Sequence, residues 1–122
     1  MSIDAERPVR NPAQVEALIE DTKDRISDAV LIVDQAEEAM RAARRAYDHE
    51  FSRAVLSAEG PEYLRKAEAT QVAMAEKEAA DEAEIAFHHA QRDAGSLEKE
   101  LFSWQAILKS VTAMWNATGG RG

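Results

Sequence analysis

Apolar and small residues recur every three or four positions along two long stretches of the chain, and little interrupts either. In the first stretch one series steps by seven through Ile19, Ile26, Val33, Met40, Tyr47 and Ala54. A second series interleaves with it as Val15, Thr22, Ala29, Ala36, Ala43 and Glu50. The second stretch repeats the pattern through Ala73, Ala80, Phe87, Ala94, Leu101, Leu108 and Trp115, interleaved with Ala69, Glu76, Ala83, Ala90, Leu97, Trp104 and Val111. Alternating steps of three and four put both series on one helical stripe, the a/d seam of a coiled coil. No Gly or Pro stands between Ala13 and Ala58, and after Pro61 a single glycine, Gly95, precedes Thr118.

The break between the two stretches is Ser57-Ala58-Glu59-Gly60-Pro61-Glu62. Gly60 suits the residue just past a helix C-terminus, and Pro61 suits the first turn of a following helix. The expected organisation is an all-α, long antiparallel helical hairpin. Its parts are an irregular arm over 1–12 with Pro8 and Pro12, helix 1 over 13–58, a turn at 59–61, helix 2 over 61–117 and a tail over 119–122. A turn centred near Pro61 pairs positions whose numbers add to about 123, setting Met40 on Ala83, Ala36 on Phe87 and Val33 on Ala90. Large meets small in these layers, which lets the helices approach closely. A half-heptad slip, to a sum near 116, preserves the same pattern.

Two helices bury only one stripe each, and this chain carries apolar residues beyond the stripe. Val30-Leu31-Ile32-Val33 is apolar around a whole turn. Phe102, Ile107 and Met114 widen the seam formed by Trp104, Leu108, Val111 and Trp115. These seven residues form the expected oligomer interface, and a two-hairpin, four-helix dimer is the economical way to cover them. Ile3 and Val9 of the arm offer an alternative cover.

Composition narrows the chemistry. The chain has 122 residues with five Gly and three Pro, too little turn material for a sandwich, a barrel or a βαβ array. It has no Cys, which excludes disulfides, thiol nucleophiles and thiolate-bound zinc and suggests a reducing compartment. No 18-residue apolar run and no signal-like N-terminus is present, so a cytoplasmic protein without a membrane span is expected.

Charge is uneven. The net charge is −8, yet residues 41–66 hold Arg41, Arg44, Arg45, Arg53, Arg65 and Lys66 against four acids. In a hairpin these six cations gather at the turn, where they are candidates to contact single-stranded DNA or an acidic partner. The plainer alternative pairs them with neighbouring acids, as Arg41 with Glu37 or Glu38. The acidic run Glu76, Glu78, Asp81, Glu82 and Glu84 reads either as a phosphate-like row or as a solvated helix face. Asp81, Glu84 and His88 lie on one helical face, but Glu84 to His88 lacks the Glu-x-x-His spacing of di-metal bundles, so no metal or cofactor is expected. No phosphate loop, nucleophile elbow or H-E-x-x-H is present, and no catalytic residue is assigned.

From Arg45 to Ala117 the chain resembles a group of small helical proteins of tailed bacteriophages. The shared elements are Arg45-Ala46-Tyr47, Ala58-Glu59-Gly60, Glu62-Tyr63-Leu64-Arg65-Lys66-Ala67 and the closing Ser110-Val111-Thr112-Ala113-Met114-Trp115. Pro61 departs from the Ser or Thr that usually follows the turn glycine. Such proteins are encoded beside replication and recombination genes. The resemblance therefore implies a non-enzymatic accessory of DNA metabolism, acting as an oligomer near single-stranded DNA or a recombinase in the bacterial host. A protein-binding module, using the acidic faces or the C-terminal apolar end, is the alternative.

Overall fold

The computed structural model describes residues 11–119, and within them every regular element is an α-helix. Helix α1 runs Pro12–Ser57, α2 runs Glu62–Val72 and α3 runs Met74–Ala117. Of the arm expected at 1–12 and the tail expected at 119–122, residues 1–10 and 120–122 lie outside the described residues.

The start of α1 is set by its own sequence. The Gln14 amide donates to Asn11 Oδ1 at 2.9 Å, and the Asn11 amide donates to Gln14 Oε1 at 3.0 Å. This is a reciprocal capping box with Asn11 as cap, and Pro12 occupies the first helical position, where its missing N–H is no loss. The helix ends earlier than its last apolar positions imply, at Ser57. Gly60 then takes a left-handed φ of 101°, and Pro61 stands just before α2 as its cap residue with φ −60° and ψ 152°. The Pro61 carbonyl accepts from the amides of Leu64 and Arg65 at 3.1 and 3.0 Å. Pro61 thus sits one place earlier than the first-turn position expected for it.

The second helical stretch is not continuous. It is divided at Ala73, whose ψ of 14° departs from the helical value. Two bonds of helical spacing still bridge the break, Ala73 N–H to Ala69 O and Lys77 N–H to Ala73 O, both 2.9 Å. The Thr70 hydroxyl donates back to the Lys66 carbonyl at 2.9 Å just upstream, a bond that bends helices. Ala69 and Ala73 are both completely buried, so the flanking turns have no room for a larger side chain.

The chain forms two compact units. One joins the first part of α1, to Asp28, with α3 from Ala94 onward; the other is Ala29–Asp93. In the first unit Val15 is 0% exposed, Ile19 is buried, and Thr22 is 1% exposed. Thr22 is a polar residue at a seam position, and its hydroxyl is satisfied by the Leu18 carbonyl at 2.8 Å. Arg25 Nη1 meets Glu100 Oε2 at 2.8 Å, and the same oxygen lies 3.4 Å from the Thr22 hydroxyl.

In the second unit the core is Ala29, Met40, Ala54, Ala69, Ala73, Ala80, Phe87 and Ala90. Small residues dominate, as the close approach of helical backbones requires. Across this unit Arg44 meets Glu84, Lys77 lies over the Tyr47 ring, and Arg65 meets Val55. The numbers of these pairs add to 128, 124 and 120.

Candidate functional site

The six basic residues expected to form a contact surface all lie in the Ala29–Asp93 unit, but their charges are largely engaged there. Arg41 pairs with Glu37 one turn back at 3.4 Å. Arg44 Nη2 reaches Glu84 Oε1 at 2.7 Å. Arg53 chelates Glu50, with one bond from Nε at 3.2 Å and a shorter one from Nη2. Lys66 pairs with Glu62 at 3.2 Å.

Arg65 differs from the rest, because its partner is backbone. Its Nε and Nη2 both donate to the Val55 carbonyl, at 3.2 and 2.9 Å. The last carbonyls of a helix lack intrahelical donors and carry partial negative charge. Arg65 therefore caps the end of α1 from the neighbouring helix. Among the described residues Arg45 alone of the six has no ion pair or hydrogen bond.

Helix geometry also separates the six. Arg41, Arg44 and Arg45 share one stripe of α1. Arg53 follows Arg44 by nine residues, which at about 100° each places it on the opposite side.

The seam acids near the α2–α3 break form a second polar group. The hydrogen bond from Arg53 holds the Glu50 carboxyl below its ordinary value of 4.5, and Glu50 in turn raises the Arg53 guanidinium. Glu76 also acts on Arg53, and Glu76 Oε2 is buried with no hydrogen-bond partner. The row Glu76–Glu84 is therefore not a free line of carboxylates. Glu76 turns an oxygen inward, Asp81 pairs with Lys77 at 3.7 Å, and Glu84 takes Arg44.

The histidines pair along their own helix. His88 Nε2 lies 3.8 Å from Glu84 and its Nδ1 3.3 Å from Gln91, while His89 lies 3.5 Å from Asp93. Among the described residues no group of three or more His, Asp or Glu is placed to hold a metal ion. No helix among them is long and apolar enough to cross a membrane.

The seven residues expected to form an oligomer interface lie in the other unit, on α3. Trp104, Ile107, Leu108, Val111 and Trp115 are half-buried. Phe102 and Met114 are 76% and 69% exposed, so both present most of their apolar surface to water.

Sequence reasoning missed a groove in the Ala29–Asp93 unit, lined by Phe51, Ser52, Val55, Leu56 and Lys66. Its signal was present: Phe51, Val55 and Leu56 are apolar residues off the heptad stripe, close to the turn. No family model matches the chain, and comparison with curated proteins and with solved structures finds no match.

Proposed function

We propose that this chain is a non-enzymatic helical interaction module. Its arms close into an antiparallel hairpin, two copies associate through the C-terminal half of α3, and the assembly captures a protein partner. The observation that carries this reading is the exposure of large apolar side chains on the helices, among them Phe102 and Met114 on α3. Both stand on the stretch of α3 that holds two half-buried tryptophans, which supports a surface there for a partner to cover. Pairing two α3 surfaces across a two-fold axis would complete a four-helix bundle.

A second reading, the one that the phage resemblance implies, is an accessory role near single-stranded DNA or a recombinase. It is supported by the lone Arg45 and by the cationic excess of residues 41–66. The local pairing of Arg41, Arg44, Arg53 and Lys66 and the use of Arg65 as a cap favour protein contact over phosphate contact. Phosphate binding would have to displace those carboxylates.

The two are separated by fluorescence anisotropy with a labelled single-stranded oligonucleotide at low and physiological salt. The module reading expects no saturable, salt-sensitive binding. Tight binding at low salt that is lost in Arg45→Ala would establish the nucleic-acid reading in its place.

A further inference from the structure

Very little holds α2 to the rest of its unit. It is an 11-residue helix between two breaks, the turn at Gly60 with φ 101° and Ala73 with φ −93° and ψ 14°. Ala69 is its one buried residue, Arg65 and Thr70 are half-buried, and every other side chain of α2 is exposed. Its large apolar residues are among the exposed ones, with Tyr63 at 71% and Leu64 and Val72 each at 49%. A helix this short is marginal in water on its own, and the burial of one alanine adds little to it. In the same unit α1 and α3 are several times longer and bury Met40 and Phe87.

The polar bonds of α2 divide the same way. The Lys66–Glu62 pair at 3.2 Å and the bond from the Thr70 hydroxyl to the Lys66 carbonyl at 2.9 Å both lie inside the helix, so they survive its movement. Among the described residues, Arg65 supplies the side-chain bonds that leave α2, two from its guanidinium to the Val55 carbonyl at 3.2 and 2.9 Å. At the other end the main chain passes through Ala73 on two bonds of helical spacing, which tether α2 to α3. A segment with few buried apolar contacts opens at lower cost than the fold around it.

We propose that α2 is a clasp that opens as one unit between Gly60 and Ala73, with the Arg65–Val55 bonds as its latch. The parts of α1 and α3 joined by the Arg44–Glu84 pair stay closed when it opens. Opening gives up the two guanidinium bonds and the cover of Ala69, and it leaves the Val55 carbonyl to water.

Native-state hydrogen exchange on the full ¹⁵N-labelled chain, followed over low urea concentrations, tests the clasp. The amides of residues 66–72 are expected to share one urea-dependent opening equilibrium. Relative to their intrinsic rates they exchange at least about tenfold faster than the amides of Met40, Ala43, Phe87 and Ala90. Arg65→Ala speeds exchange across 66–72 by about tenfold more, as the loss of a charged donor implies. Phe87→Leu, a core change about four turns beyond Ala73 on α3, speeds the amides of Met40 and Ala90 and leaves 66–72 at their native rates. Equal acceleration of 66–72 by Phe87→Leu would overturn the proposal, because α2 would then open only with the whole unit. Scattered, urea-independent rates across 66–72 would reduce the opening to fraying and overturn it as well. Unchanged rates in Arg65→Ala would contradict the latch and with it the clasp.

Discussion

The Arg65 guanidinium donates two hydrogen bonds to a single backbone oxygen, that of Val55, ten residues earlier and across the turn. One side chain thereby ties α2 to the end of α1 and satisfies a carbonyl that the helix itself cannot. Arg65→Ala is expected to lower stability by about 1–2 kcal/mol, the range for a charged donor lost from a partly buried acceptor. Arg45→Ala, which removes no bond, is expected to change stability by less than about 0.5 kcal/mol. Urea midpoints for the two variants check the contrast, and equal midpoints would contradict the capping role.

The two glycines of the helical segments and their turn predict opposite signs. Gly60 has φ 101°, with open space where a Cβ would stand, so Gly60→Ala carries a backbone penalty alone, about 1 kcal/mol or more. Gly95 lies inside α3, also with open space at its Cβ, so Gly95→Ala is expected to stabilise by about 0.5–1 kcal/mol. Thermal melts of both variants give the comparison.

Glu76 is expected to be a liability. One of its carboxylate oxygens is buried at the seam without a partner, and Glu50 already occupies the Arg53 guanidinium. Glu76→Leu, which keeps volume and removes the unpaired oxygen, is expected to raise stability by about 1 kcal/mol. A lower urea midpoint in that variant would show that the carboxylate has a stabilising role.

The Glu50–Arg53 pair predicts an acid-side loss. Hydrogen bonding to Arg53 lowers the folded Glu50 carboxyl below 4.5, so the folded state binds this proton less readily than the unfolded state. The contribution to stability is therefore complete above pH 4.5 and fades as pH falls through the lowered folded value. A carboxyl-detected NMR titration should place the Glu50 midpoint below 4.5 and move it upward in Arg53→Gln. An unchanged midpoint would show that the pair does not govern the titration.

Much of the helical architecture is legible in the sequence, because a seven-residue repeat has one physical interpretation. Every described heptad position from Val15 to Ala54 and from Ala69 to Trp115 is buried or half-buried, polar Thr22 and Glu50 included. The capping box is equally legible in Asn11-Pro12-Ala13-Gln14, although Pro8 and Pro12 also fit the irregular arm expected over 1–12. The division at Ala73 was not legible, because no Pro or Gly marks it and the heptad runs through it unbroken. Nor was the role of Arg65, since its acceptor is a carbonyl that every residue carries. The same limit applies to the cationic surface: the sequence supplies the six charges, while their pairing depends on which carboxylates the fold places within reach.

The central claim is that α3 supplies a self-association surface, and absolute mass by light scattering tests it most directly. The account predicts a species of twice 13.5 kDa for the native chain, and a mass near 13.5 kDa for the Phe102→Ser, Met114→Ser double variant with its helicity intact. A native chain that remains at 13.5 kDa across the accessible concentration range, or a double variant that stays dimeric, would contradict it.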